Sequence, residues 1–461
     1  MKQFPITDLA RIIKAHCEPA PELPSYFTGV NTDSRTIKSG DCFFAIRGDN
    51  FDGHDYLSDA FAKGAVCAVV DKTSGTDGFA GKIILKVDDT IEALGLLAAK
   101  YRSVGKYKVV AITGSVGKTT TRQIVFHVLS RHFHCCQSPK NFNNNIGLPL
   151  TLLGADASDK VIIAELGTNH PGEIAYLAGI AQPDVAVVTN IYPAHLEGFG
   201  DLQEIMREKL SIAQGLRKNG ILIVNADFDS LVDACRKSGI KLKTFGKSDT
   251  ADIQARSITY KTTSSEFTID GTKVILPLPG PGNIENALAA WAVCCRFEIS
   301  IDDFAQALMT LPAVPMRAEL LRLGSLTVLN DCYNANPASM INALSILTNL
   351  RSDRNSRLVF VCGDMAELGR QSEKLHAELG ASIAKAEVQL LLTVGQLAQV
   401  AADAAKKAAD YDLQTNCFPD APSLCNKLKE FVKDSDIILI KGSRIAKLET
   451  VVRKLKELFP E

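Results

Sequence analysis

KVVAITGSVGKTTTRQIVFHVL, Lys108 to Leu129, passes from a short apolar run through a glycine-bearing turn into a stretch of helical periodicity. Strand, tight loop and helix in that order is the setting a nucleotide-phosphate loop requires. The loop ends as expected, at Gly117-Lys118-Thr119, but the usual G-x-x-x-x-G-K-[ST] spacing would place a glycine where Ile112 stands. The first glycine is instead Gly114, with only Ser115 and Val116 before Gly117. Glycines at both positions let the backbone turn and approach a ligand closely, since no Cβ intervenes. The amides of Gly117 to Thr119 would then open a helix N-terminus, where the dipole favours anions. Lys118 would pair with β- and γ-phosphate oxygens, and the Thr119 hydroxyl could ligate Mg2+. The bland alternative is a strand–helix turn that happens to contain Lys-Thr.

Further along, VIIAEL, DVAVVTNI and GILIVNAD are short continuous apolar runs, as strands of a parallel sheet covered on both faces should be. Glu165 closes the first of these runs. A buried carboxylate is expensive unless compensated, so Glu165 reads either as a metal ligand beside the loop or as half of a structural ion pair. YPAHLEGFG puts His195 beyond the end of the next strand, where ligands of open α/β sheets collect; a loop histidine taken alone is more often incidental. GDLQEIMREKLSIAQGL predicts an amphipathic helix in which Lys209, by itself, is a solvated lysine.

The fold class this pattern predicts is α/β in three domains. Residues 1–103 mix short apolar stretches with turn residues and read as a small N-terminal α/β domain, and residues 104–313 hold the P-loop-type parallel sheet. Two prolines in LPAVP mark a boundary, after which residues 314–461 repeat the alternation in RLVFVCGD, VQLLLTVG and DIILIKGS, predicting a second, Rossmann-like parallel sheet. With 51 basic and 52 acidic side chains, no chain-wide field points to nucleic acid. No apolar run is long enough to span a membrane, and the N-terminus lacks a signal-peptide core, so the cytoplasm is the expected compartment. The 12 cysteines lack metal-ligand spacing and read as small buried hydrophobes.

Polar residues concentrate where predicted strands give way to helices. PGPGNIENALAA carries Asn283 and Asn286 at a helix start, suited to capping or to contact with a base. MRAEL supplies Arg317, LNDCYNANPASM supplies Asp331, Tyr333, Asn334 and Asn336, and GDMAELG follows a third-domain strand. Such residues would line a cleft between two α/β domains.

Assembled, these segments resemble the Mur ligase family, whose short phosphate loop T-G-[ST]-x-G-K-[ST] matches Thr113 to Thr119 position by position. The resemblance covers all three regions, through NTDSRTIKSGDCFFAIRG and FDGHDY, NFNNNIGLPLTLL, and then DCYNANPASM, GDMAELG and IKGSR. It implies an ATP- and Mg2+-dependent ligase, with an N-terminal domain for a UDP-sugar substrate and a central domain for ATP. The YNANP and GDMAELG signatures imply that the joined molecules are UDP-MurNAc-tripeptide and D-Ala-D-Ala; a monomer is the expected state, though no residue pattern speaks to it. By the same resemblance Gly114, Ser115, Val116, Gly117, Lys118, Thr119 and Thr120 would hold the phosphates, and Thr119, Glu165, His195 and a carbamylated Lys209 the metal. Asn283 would lie near the adenine, Asp331 at the ribose and Arg317 at the γ-phosphate, leaving Lys118, Lys209, His195 and Arg317 as the catalytic set. Asn145 would lie near the substrate diphosphate, and Ser34 with Arg35 near the uridine. Two positions depart from the family pattern: Gly282 stands where a histidine is usual, and Cys332 where a serine is. Among rival readings, a guanine-nucleotide switch would carry N-K-x-D, which is absent, and a pseudo-ligase would lack one of Lys118, Glu165, His195 or Lys209. A related ligase with another amino-acid or folate acceptor is disfavoured by the C-terminal signatures.

Overall fold

In the computed structural model, which describes residues 3–18, 25–48, 50–75, 78–237, 239–351 and 356–460, the first sheet has five strands. Their order is His16–Glu18, Ile83–Val87, Cys67–Asp71, Asp41–Phe44 and Gly29–Asn31, parallel except at the His16–Glu18 edge. Helix α1 (Thr90–Val104) leads out of it, started by Asp89, whose carboxylate accepts from the Ile91 and Glu92 amides. Its last turn carries Arg102, fully buried, which donates to the carbonyls of Ala181, Gln182 and Tyr107 and to the Asp184 carboxylate at 2.8–2.9 Å. One side chain thus fastens α1 to the central region.

The quoted stretch forms β1 (Lys108–Thr113), the phosphate-loop turn and α2 (Lys118–Leu129). The remaining parallel strands are β2 (Cys135–Gln137), β3 (Val161–Glu165), β4 (Val185–Val188), β5 (Ile221–Asn225), β6 (Leu242–Gly246) and β7 (Ile253–Gln254), in the order β7-β6-β5-β4-β1-β3-β2. Val110 and Ile112 of β1 pack into one apolar cluster with α2, while Val109 and Ala111 face a second cluster on the opposite side. Burial on both faces is why the strand is apolar throughout rather than alternating. Because β1 lies between β3 and β4, with Glu165 opposite Ile112 and Val188 opposite Thr113, three loops distant in sequence emerge side by side.

Helix α3 (Leu202–Leu210) stops earlier than its amphipathic pattern suggests and gives way to a 3-10 turn, Ser211–Gly215. A three-stranded antiparallel sheet, β8 (Arg256–Tyr260), β9 (Ser265–Ile269) and β10 (Thr272–Leu276), packs Phe267, Ile269, Val274 and Leu276 against the cluster that holds α4 (Pro281–Cys294). Nothing in the sequence reading anticipates it, because its strands are short and largely polar.

The last sheet is mixed rather than wholly parallel. β11 (Glu319–Leu323) and β12 (Leu326–Asn330) form an antiparallel hairpin whose two-residue turn has Gly324 at φ 54°. After helix α5 (Pro337–Leu350) come β13 (Leu358–Gly363), β14 (Leu390–Val394), β15 (Gln414–Phe418) and β16 (Ile437–Lys441), giving the order β11-β12-β16-β13-β14-β15. Asn336 caps α5 through a reciprocal exchange with Ser339, and Pro337 occupies the first turn as expected.

No disulfide forms among the described residues, but Cys295 and Cys417 are exposed, which corrects their reading as buried hydrophobes: one follows the end of α4 and the other lies on an edge strand. Among the described residues no helix is long and apolar enough to cross a membrane. The Arg102 network gives a direct test. Arg102→Ala takes the buried donor from the Ala181, Gln182 and Tyr107 carbonyls, while Asp184 keeps Lys108 at 2.9 Å and the Val109 amide at 3.0 Å; the loss should cost on the order of 3 kcal/mol, seen as an earlier thermal unfolding transition by calorimetry.

Candidate active site

Gly114 (φ 146°) and Gly117 (φ 85°) shape the phosphate loop. A Cβ on Gly114 would lie 1.9 Å from the Thr189 hydroxyl, and one on Gly117 2.0 Å from the Asn286 carbonyl oxygen, so neither position admits a side chain. The segment following β4 holds the loop in place. The Asn190 side chain accepts from the Val116 amide at 2.9 Å and donates to its carbonyl at 3.1 Å, while the Thr189 hydroxyl donates to the same carbonyl at 2.6 Å. The Ser115 hydroxyl donates to the Tyr192 carbonyl at 2.9 Å and accepts from its amide. Sequence reasoning passed over Thr189 and Asn190; the signal was a polar pair closing an apolar strand. Gly117 caps α2 without any side-chain acceptor, so the first-turn amides stay available to an anion.

Glu165 is 3 % exposed, and its charge is met by the protein around it. It accepts from the Thr119 hydroxyl at 2.8 Å and the Asn143 amide at 3.1 Å, and it faces the buried Arg122 guanidinium at 3.9 Å. Arg122 is held in turn by the Ser138 and Lys140 carbonyls. The Lys118 ammonium folds back to the Gly114 carbonyl at 2.8 Å; burial and the Arg317 charge pull its pKa down, against the opposing pull of Glu165.

Lys209 is not a solvated helix lysine. It is 2 % exposed, and no hydrogen-bond or ion-pair partner for its ammonium is found among the described residues. Burial, with the nearby Lys118 charge, pushes its pKa down to about 7. Its neighbour Glu208 explains how the helix seats there, accepting from the Gly172 and Ile174 amides at 2.7 Å and so capping the helix Glu173–Ala181. His195 adopts a left-handed backbone (φ 54°), and its Nδ1 hydrogen-bonds the Glu367 carboxylate of GDMAELG. The Glu197 amide donates to the Glu367 carbonyl at 3.1 Å, so this corner bridges the central and last sheets. His195 thus contacts Glu367 rather than Glu165, and no cluster of three or more His, Cys, Asp or Glu exists among the described residues.

Opposite the loop, α4 begins at Gly280-Pro281 with no side-chain cap of its own. Asn283 does not cap it: its amide donates back to the Pro279 carbonyl at 2.8 Å, and its carbonyl oxygen accepts from Asn286 at 3.3 Å. The Gly282 amide donates instead to the Asn342 side chain of α5 at 3.0 Å, and a Cβ at position 282 would lie 3.0 Å from that oxygen. Asp331 pairs with the buried Lys441 at 2.6 Å. The Arg317 guanidinium stacks on the Tyr333 ring, 4.1 Å from its centroid.

A cleft of about 1500 Å³ between the central and last sheets unites Ser115 to Thr120, Glu165, His195, Asn283, Arg317, Asp331 and the exposed Asn145. Gly114, Lys209, Ser34 and Arg35 lie outside its lining: Ser34 is buried, with its carbonyl accepting from Lys63 at 2.9 Å, and Arg35 pairs with Asp33 on the surface of the first sheet. The chemistry of the lining suits a polyphosphate, with free helix amides, two loop glycines and converging cations. The adjacent Thr119 and Glu165 oxygens suit a hard divalent cation that takes its other ligands from phosphate and water.

Three family descriptions match the chain in order: "Mur ligase family, catalytic domain" over residues 26–102, "Mur ligase middle domain" over 112–294, and "Mur ligase, glutamate ligase domain" over 316–444. The UDP-N-acetylmuramoyl-tripeptide–D-alanyl-D-alanine ligase of Bacillus subtilis is 34 % identical over 455 residues, 98 % of either chain. The crystal structure of MurF from Acinetobacter baumannii superposes with a TM-score of 0.89 at 30 % identity over 99 % of both chains. That of the Thermotoga maritima MurF ligase in complex with ADP gives 0.81 at 26 % identity, covering 93 % of this chain and 97 % of its own.

The loop geometry makes Gly117→Ala a test of the cradle. The added methyl meets Asn286 and strains the left-handed backbone, so ATP affinity by titration calorimetry should fall about tenfold or more, with circular dichroism unchanged.

Proposed function

This chain belongs to the Mur ligase family, and we propose that it joins D-Ala-D-Ala to UDP-MurNAc-tripeptide at the expense of ATP, forming ADP and phosphate. The observation that carries this reading is the phosphate cradle of Ser115 to Thr120 facing Arg317 and Asp331 across one cleft. A carboxylate is a poor electrophile. The γ-phosphoryl group of ATP therefore passes first to the terminal carboxylate of the tripeptide, giving an acyl phosphate. The free amine of D-Ala-D-Ala attacks that carbonyl, and phosphate leaves from the tetrahedral intermediate. The acyl phosphate is open to hydrolysis, which a cleft closed by two domains restrains.

Positioning and charge are the main demands of phosphoryl transfer. The α2 amides and Lys118 hold the β- and γ-phosphates, and Lys118 leaves the Gly114 carbonyl to do so. Arg317, braced on Tyr333, meets the charge of the phosphoryl in flight. Asp331 receives the ribose and Asn283 lies beside the adenine, while Asn145 contacts the substrate diphosphate. Ser34 and Arg35, on the first sheet, take the uridine end of an elongated substrate. The domains fall at residues 1–103, 104–313 and 314–461, and one copy of the chain carries all three, so the working unit is a monomer. Substrates of this kind place it in the cytoplasm.

Mg2+ would be held by Thr119, Glu165, His195 and Lys209, and when bound it neutralises phosphate charge. An ammonium would repel it. A buried lysine whose pKa lies near 7 presents a neutral amine able to add CO2 with release of one proton to solvent, and the resulting carbamate is an anionic oxygen ligand. Glu165 and that carbamate would be the protein's two anionic donors.

Two experiments test this reading. Phosphate release from ATP should require UDP-MurNAc-tripeptide and D-Ala-D-Ala together and yield the pentapeptide; release indifferent to the dipeptide, with no pentapeptide, overturns it. With 13C-bicarbonate, a carbamate resonance should grow as pH rises from 6 to 8, because protonated Lys209 cannot add CO2 below its pKa of about 7. Lys209→Ala should lack both the resonance and activity, and short carboxylic acids should partly restore turnover.

A further inference from the structure

Arg317 sits in a backbone that is costly to hold. Met316 and Ala318, on either side of it, have φ of 59° and 49°, a left-handed conformation that residues with a Cβ rarely adopt. The Ala318 amide donates to Asp331 Oδ1 at 3.0 Å, the Tyr333 amide donates to the Met316 carbonyl at 3.2 Å, and the Tyr333 ring supports the guanidinium. Both lines of support lead to one side chain. Lys441, the last residue of β16 and 2 % exposed, donates from Nζ to Asp331 Oδ2 at 2.6 Å and to the Asn334 carbonyl at 3.0 Å, with the Asp331 carbonyl at 3.4 Å.

We propose that Lys441 is a positioning residue for phosphoryl transfer: it fixes the Asp331–Asn334 segment, and through Asp331 and Tyr333 it aims Arg317 at the phosphate loop. The geometry separates this from simple charge neutralisation. An ammonium needed only to balance Asp331 would require one contact, whereas this one also ties the carbonyl that follows Tyr333. The proposal rests on the role given to Arg317 above.

The test is a double-mutant cycle on the full chain, using Lys441→Met and, as a second probe, Lys441→Gln, each with and without Arg317→Ala. Each single Lys441 variant should lower kcat about tenfold or more while KM for tripeptide and for D-Ala-D-Ala changes by less than about twofold. In the Arg317→Ala background the same substitution should change kcat by less than about twofold, because the group it positions is gone. Equal losses in the two backgrounds, a wild-type kcat in either single variant, or failure of both variants to fold would each overturn the proposal. A wild-type kcat in Arg317→Ala alone instead removes the role given to Arg317, an outcome distinct from the others.

Discussion

A carboxylate buried at the end of a central strand has to be compensated where it stands. Glu165 is compensated by the Thr119 hydroxyl, the Asn143 amide and the Arg122 guanidinium. Two of these lie on α2 and one in the segment after β2, so satisfying one side chain fixes the helix that opens the phosphate site and the neighbouring loop. The strand order supplies the rest. With β1 between β3 and β4, Glu165 on one side and Thr189-Asn190 on the other hold the loop from both flanks. A loop this short cannot satisfy its own backbone, and its neighbours do so for it.

Around the phosphate loop the cations act on one another. Lys118 and Arg122 both have their pKa values lowered by burial and by Arg317, and Lys209 by burial and Lys118; Glu165 is the carboxylate that opposes the shift for Lys118 and Arg122. Cations set close together in a partly dry site favour a polyanionic ligand. Lys209 escapes the crowding differently. As the cation with no partner among the described residues, it is the one whose proton is most easily lost.

How much of this could be read from sequence differs by residue, for physical reasons. The phosphate loop was readable because its chemistry is local: glycine spacing, a strand before it and a helix after it. Glu165 was readable because a charge ending an apolar run is anomalous on its own. Lys209 was misjudged from its residues alone, since a helix pattern shows which face is apolar but not what the polar face meets. His195 gained weight only from its place after β4, and Glu367, 172 residues away, could not be connected to it by any local rule. The antiparallel sheet β8–β10 was missed because its strands are short and polar, and its burial depends on α4, which comes later in the chain.

Gly282 shows how a departure from a family pattern can be absorbed. A helix whose first residues are Gly280 and Pro281 has no side chain to cap it and one fewer amide to satisfy. The cap arrives from the other side of the cleft, as Asn342 of α5 accepting from the Gly282 amide. Glycine at both 280 and 282 permits that approach, since a Cβ on Gly280 would lie 2.5 Å from Ile346 and one on Gly282 3.0 Å from Asn342. A side chain at 282 would press on the end of the Asn342 side chain, which would have to give by a few tenths of an ångström, whereas glycine lets the two domains meet there directly. The same helix carries Asn283 toward the cleft and Asn286 against Gly117. The seating of α5 on α4 and the shape of the phosphate loop are therefore linked through a single helix N-terminus, and α5 starts just after the segment that braces Arg317.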